Sequence, residues 1–270
     1  MDIIAIVFAG ILGTIIGSFL NVVILRYGTG KSVGGRSGCM SCGHTLRGID
    51  MVPILSWMAL RGKCRKCHCK ISAQYPLVEL ATGLVFAILF KYSLGYTAAT
   101  TIASAVFVWN AIIFSILIVI FVYDWRHKII PDGLVFTFIG MSLAQTLYNL
   151  PMDFWNQTVP ILNMLAGPIF FFIFYLIWKF SNGRMIGYGD LKLMLGLGWF
   201  LGFVHGLSAI FLAFWIGALY ALAIVLNNRL KRLPEHITMK TEIPFGPFLI
   251  LGILIEFIWA FDLLSLNFFF

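Results

Sequence analysis

The sequence predicts an all-α, polytopic membrane protein with about eight transmembrane helices and one small polar domain between the first and second. Three observations carry this. The 270 residues are 60% hydrophobic and only 11% charged. The mean hydropathy of +0.95 lies far above that of a soluble globular chain. Several apolar runs reach the roughly 20 residues needed to cross the hydrocarbon core.

Apolar runs place the spans at about 2–25, 75–91, 99–123, 133–149, 159–178, 190–204, 206–227 and 246–262. Basic residues support that count. Segment 26–74 holds nine Lys and Arg, 124–132 two, 179–192 three and 228–245 four, which is 18 of the 19, leaving Lys91 alone on the other side. The positive-inside rule then predicts that these four segments face the cytoplasm and both termini face outward. The net charge of +8 is thereby explained as topology, and nucleic-acid binding is not expected. The first span carries Asp2 where a secretory signal has a basic region, and Arg26 follows it as a stop, so it is expected to stay in the membrane.

Along the first span, Gly10, Gly13 and Gly17 suit close helix packing, and Asn21 needs a polar partner away from lipid. Residues 27–74 form the polar domain and contain all five cysteines. Cys39-Met40-Ser41-Cys42 and Cys64-Arg65-Lys66-Cys67 are two Cys-x-x-Cys pairs with 21 residues between them, the pattern of a tetrahedral zinc site. A metal would supply stability that so short a segment cannot obtain from a core. Unbound reduced thiols or a redox pair are the alternatives. Cys69 is read as a free thiol, and His44 and His68 as weaker ligand candidates. The apolar patch 50–57 is expected against the membrane surface or the core.

Residues 75–270 form the third expected unit, a membrane domain. Glu79 opens its first helix after Tyr75-Pro76; the helix dipole accounts for much of it, and a polar contact to a substrate or cofactor is the other reading. Two acids border apolar runs, where ionised groups are costly: Asp124 closes one run and Asp190 opens another. Asp132 is expected as a helix N-cap or a supporting polar residue, and His127 as a solvated loop residue. Gly187 and Gly189 precede Asp190 in Gly187-Tyr188-Gly189-Asp190, where glycine permits unusual dihedrals and close backbone approach. Lys192 is expected to reach the interface. Ile243-Pro244-Phe245-Gly246-Pro247-Phe248 reads as irregular backbone where the last helix begins.

Together, Gly17-Ser18-Phe19-Leu20-Asn21-Val22, the two Cys-x-x-Cys pairs, Tyr75-Pro76 with Glu79, Asp124 with Ile130-Pro131-Asp132, Gly187-Tyr188-Gly189-Asp190 and Pro244-Phe245-Gly246-Pro247 resemble the type IV prepilin peptidases, the GxGD class of intramembrane aspartyl proteases. The resemblance covers nearly the whole chain. It implies a catalytic pair, Asp124 and Asp190, with Asp132 outside it, in the bacterial inner membrane with the active site facing the cytoplasm. It also implies cleavage of the short basic leader of type IV prepilin or pseudopilin precursors after a glycine. In many members, methylation of the new N-terminus by S-adenosylmethionine follows. In the family, Zn2+ is bound by four cysteines, here Cys39, Cys42, Cys64 and Cys67. No residue is assigned to the methyl donor, so the cofactor-binding residues stay unknown.

Helix dipoles suggest that Asp124, at a helix C-terminus, holds the shared proton while Asp190, at a helix N-terminus, acts as base. Peptidase activity without methyl transfer is the nearest alternative. A proton-coupled transporter and a structural membrane protein are the others; acids near mid-span would favour the transporter, and both acids here lie at span ends.

Overall fold

A computed structural model describes residues 2–96, 100–156, 160–230 and 243–259. The helices in order are α1 (Asp2–Arg26), the short α2 (Leu55–Ala59), α3 (Gln74–Tyr96), α4 (Thr100–His127), α5 (Asp132–Asn156), α6 (Pro160–Phe180), α7 (Tyr188–Leu230) and α8 (Gly246–Trp259), with a 3-10 turn at Gly48–Met51. Most of the basic loop 228–245, the acid Asp153 and the end of the last expected span lie outside the described backbone or side chains. Among the described residues, five helical stretches are long and apolar enough to cross a membrane: Ile3–Arg26, Gln74–Gly95, Thr101–His127, Ile161–Phe180 and Tyr188–Asn227. The expected fourth and eighth spans correspond to α5 and to the 14-residue α8, which are not among the five.

The expected sixth and seventh spans form one element, α7. As a straight rod its 43 residues would be about 65 Å long, twice the hydrocarbon core. The rod is broken at Gly202, whose φ of 77° and ψ of −175° are not helical. A Cβ at Gly206 would lie 3.1 Å from Leu197 Cδ2, although nine helical residues would separate them by about 13 Å, so the chain turns back on itself there. Asn163 of α6 stabilises the turn: its Oδ1 accepts the Phe203 N–H at 3.1 Å, serving as a cap supplied from another helix. The chain break is thus at 202, not at 205.

The chain divides into two compact units, Met1–Val119 and Ile120–Phe270. The division falls within α4, so α1, α3 and the first part of α4 belong to one unit. In the first unit, the glycines of α1 let it lie directly on α3. A Cβ at Gly13 would meet Phe86 Cβ at 2.7 Å and Gly83 Cα at 2.9 Å, and one at Gly17 would meet Glu79 Cα at 2.8 Å. Asn21 satisfies its amide on the Gly17 and Tyr75 carbonyls. The ring of Phe107 on α4 packs edge-on against Phe86 and Phe90 of α3.

In the second unit, α7 is the central element. Gly198 crosses α6 at Gly167, where an added Cβ would lie 2.6 Å from Gly167 Cα. Gly196 accepts the ring of Phe138 from α5, and Thr146 of α5 donates to the Trp199 carbonyl at 2.6 Å. Past the turn, α7 packs on α8, where Gly252 sits against the Ala209 carbonyl and His205 pairs with the buried Glu256 at 2.7 Å. Gly202→Ala should therefore cost about 1–3 kcal/mol, because the new methyl has both a left-handed backbone and Asn163 against it. Thermal unfolding in detergent checks this: the midpoint should fall by several degrees, and an unchanged midpoint would remove Gly202 as the turning point.

Candidate active site and thiol cluster

Asp124 and Asp190 belong to the same unit and are both buried. Asp190 is in the first turn of α7. Its backbone N–H donates to the Gly187 carbonyl at 3.1 Å, and its Oδ2 accepts the Gly187 N–H at 3.2 Å. This reciprocal pair fixes the side chain at the helix start, as in a capping box. Its second oxygen, Oδ1, is buried and has no hydrogen-bond partner among the described residues. Asp124 lies one turn before the end of α4 and accepts the backbone N–H of Gly246, the first residue of α8. The two carboxyl groups are within electrostatic reach of each other.

Ile130 fills the space between these two helix starts. A Cβ at Gly189 would lie 2.9 Å from Ile130 Cβ, and one at Gly246 would lie 3.2 Å from Ile130 Cδ1 and 2.6 Å from Asp124 Oδ2. A Cβ at Gly187 would press on Asp190 Oδ2 at 3.1 Å. Close approach is therefore what these glycines provide. The unusual dihedrals expected of Gly187 and Gly189 are not found: neither is among the positive-φ glycines. The expected dipole asymmetry is also offset. The N-terminus of α8 stands at Asp124 as the N-terminus of α7 stands at Asp190, so both acids face a positive helix end.

Asp132 begins α5, is largely exposed, and pairs with Lys192 at 2.6 Å. The Lys192 ammonium also lies over the rings of Tyr188 and Phe136, at 5.0 and 5.2 Å. Lys192 thus ties α5 to the first turns of α7 beside Asp190. His127 is exposed and its ring leans on Tyr123. Glu79 is in the other unit, where its buried carboxylate accepts the Ile54 N–H at 2.7 Å and the Ser18 hydroxyl. Those internal bonds engage it, and they tie the polar domain to the start of α3. Ile130 and Gly246 entered the sequence reading only as members of their motifs, and neither was expected to touch the acids or each other. The signal for Gly246 was its place between Pro244 and Pro247, where only a glycine lets the backbone touch a neighbour.

The polar domain contains two equivalent turns. In the first, the Cys39 N–H donates to the His44 carbonyl and the Gly43 N–H to the Cys39 carbonyl; in the second, Cys64 pairs with Cys69 and His68 with Cys64 in the same way. The flanking bridges Gly38–Thr45 and Lys63–Lys70 match as well. Gly43 and His68 both take positive φ at equivalent positions. Cys42 and Cys67 are thus counterparts, and Cys69 stands where the first turn has His44.

The sulfurs of Cys39, Cys64, Cys67 and Cys69 all lie within 4.8 Å of one another. Cys69, read from sequence as a bystander, is 3.4 Å from Cys39, while Cys42 interacts with both Cys39 and Cys67. Neither histidine joins this group among the described residues. Tetrahedral zinc at about 2.3 Å from each sulfur would hold sulfurs about 3.8 Å apart, so the donor set fits a metal.

Backbone N–H groups of Cys42 and Ser41 pull the Cys39 thiol down to about 6, and those of Cys67 and Lys66 lower Cys64. Cys67 accepts the Cys69 N–H but is pushed up by the neighbouring Cys69 thiol, burial, Cys42 and Cys64.

Against known families, the Bacterial Peptidase A24 N-terminal domain matches residues 11–93 and the Type IV leader peptidase family matches residues 111–222. A prepilin leader peptidase/N-methyltransferase of Burkholderia pseudomallei (strain 1026b) is 32% identical over 91% of this chain and 82% of its own length. Proteins of the same description from Pectobacterium carotovorum subsp. carotovorum and Bacillus subtilis (strain 168) are 32% and 31% identical, over 90% and 94% of this chain and 89% and 94% of their own lengths. This chain belongs to the type IV leader peptidase family. No solved structure matches it.

Within this family member, the low value at Cys39 has a direct consequence. With chelator present, alkylation of Cys39 should rise with pH through a midpoint near 6, because the thiolate is the reacting form and backbone donors favour it. Cys67 should react only at higher pH. Peptide mass mapping after timed alkylation checks this, and a midpoint for Cys39 at the ordinary thiol value would contradict it.

Proposed function

We propose that this chain cleaves the short basic leader of type IV prepilin or pseudopilin precursors after a glycine, using Asp124 and Asp190, and then methylates the new N-terminus. The observation that carries the reading is a pair of buried acids in mutual electrostatic reach, each held by one backbone N–H at a helix start. Two interacting carboxyl groups titrate as a pair, and one shared proton is the proposed working state.

In the proposed chemistry a water between the acids gives a proton to the ionised carboxylate as it attacks the scissile carbonyl. The protonated acid donates to the carbonyl oxygen, and the amine leaves with a proton as the tetrahedral centre collapses. The unpartnered Oδ1 of Asp190 is available for one of these transfers. Gly187 and Gly246 orient the two carboxyl groups, Ile130 packs between Gly189 and Gly246, and Lys192 with Asp132 braces α5 against α7. The substrate is itself a membrane helix with its leader on the cytoplasmic side, which suits acids at helix ends. The basic segments of this chain would repel a basic leader, so an apolar groove between helices is the proposed recognition surface.

Both termini are proposed to face away from the cytoplasm, as the distribution of basic residues requires. Zinc is proposed to be held by Cys39, Cys42, Cys64 and Cys67, supported by the equivalence of the two turns, and would act structurally by joining them. S-adenosylmethionine, the proposed methyl donor, would supply an electrophilic methyl group to the new amine. Among the described residues no glycine-rich strand–turn–helix cradle is formed, and no step is derived through the donor.

The test is processing of a prepilin-type precursor in membranes carrying wild type, Asp124→Ala, Asp190→Ala or Asp132→Ala, with enzyme levels and zinc content measured in each. Either of the first two should lower cleavage at least about 10³-fold at unchanged zinc, and Asp132→Ala should retain most of it. Full cleavage without Asp190 would overturn the proposal. In the same preparations Cys42→Ser should lose zinc and Cys69→Ser should keep one ion per chain; the reverse would place Cys69 in the ligand set.

A further inference from the structure

Residues 27–74 carry eight Lys and Arg against one acid, Asp50, and that acid is engaged by Arg65 at 2.7 Å. On the surface of this domain lies an open cleft of about 560 Å³ lined by Arg36, His44, Arg47 and Met51 between the backbones of Gly35 and Gly48. No carboxylate is among its lining residues; Asp50, which accepts the Arg47 N–H at 3.3 Å, adjoins it but is paired with Arg65, and Arg36 makes no ion pair among the described residues. The cleft is therefore electropositive and open to an anion.

The cleft adjoins an apolar strip. Ile49, Leu55 and Met58 are 75, 65 and 62% exposed, and Met51 and Val52 beside them are exposed too. Met51 belongs to both features. A small domain stabilised by few apolar residues has no reason to present five of them to water together. The depth of the strip is fixed by Ile54, whose N–H is bonded to Glu79 in the second turn of α3. That bond holds Ile54 beside the start of α3, a helix long and apolar enough to cross a membrane.

We propose that this strip lies in the headgroup–acyl boundary, with Ile49, Leu55 and Met58 in lipid, and that the cleft between Arg36 and Arg47 takes the phosphate of an anionic phospholipid of the same leaflet. Short apolar segments flanked by basic residues bind membranes in this way, through buried apolar area plus attraction to anionic headgroups. The tethers on both sides, α1 at Arg26 and α3 at Glu79, keep the domain within reach of lipid throughout, which favours lipid over a soluble partner as the occupant. The inference does not depend on the proposed peptidase activity.

The test uses the full chain in nanodiscs of phosphatidylcholine alone or with on the order of 30% phosphatidylglycerol. Amide hydrogen exchange is followed over residues 48–59, with zinc content as the check that the domain is folded. Exchange should be at least about five-fold slower in the anionic discs. Arg36→Gln with Arg47→Gln should abolish the difference between lipids, and Leu55→Gln with Met58→Gln should abolish protection in both. Arg36→Gln alone, which breaks no bond in the structure, serves if the double variant loses zinc, and should reduce the lipid difference. Excess inorganic phosphate should leave the difference in place. Equal exchange in the two lipids would overturn the proposal. So would loss of the difference on adding phosphate, which would mean a free-anion site, or protection that appears only with two chains per disc, which would mean contact between copies.

Discussion

Two backbone N–H groups, those of Gly187 and Gly246, each bonded to a buried carboxylate, are the interactions on which the rest of this site depends. An acid at the edge of an apolar helix is tolerable only if something polar meets it. Here each acid is met by the first turn of a helix, α7 for Asp190 and α8 for Asp124, where backbone donors are unpaired and the dipole is positive. For both helices to begin so close to the same place, the chain must lose side chains at Gly187, Gly189 and Gly246 and fill the remaining gap with one residue, Ile130. The glycines are thus spacing elements, and the tight spacing is what brings a helix start to each of the two acids.

The same device recurs in other helix pairs. Gly13 and Gly17 bring α1 onto α3, Gly167 and Gly198 bring α6 onto α7, and Gly252 brings α8 onto α7. In lipid there is little hydrophobic drive to join helices, so close backbone contact supplies the packing energy. The turn at Gly202 serves the same end. It lets α7 present Asp190 at its start and, past the break, still pack against α8 in its second half.

Much of this was legible in the sequence because lipid makes polar residues conspicuous. Asp124 and Asp190 stood out as acids bordering apolar runs, the Cys-x-x-Cys pairs as the pattern of a metal turn, and the long helices as apolar segments. What stayed hidden depends on contacts between segments far apart in sequence. Nothing local marks Ile130 as the spacer between two helix starts, or Asn163 as the cap of a helix that begins at Phe203. Cys69 read as a bystander because its spacing follows no ligand motif; only the folded second turn brings its sulfur within 3.4 Å of Cys39. The dipole argument for a proton on Asp124 failed to discriminate for the same reason: the start of α8 is distant in sequence and adjacent in space.

The central claim is that two carboxyl groups share one proton while a water attacks. The most direct measurement is the pH dependence of kcat/KM for leader cleavage by the enzyme reconstituted in lipid, with Asp132→Asn as a control for the acid outside the pair. The account predicts a bell whose two limbs belong to the pair as a unit, unchanged in shape by the Asp132 substitution. A profile with no acidic limb, or one whose limbs disappear with Asp132→Asn, would contradict it.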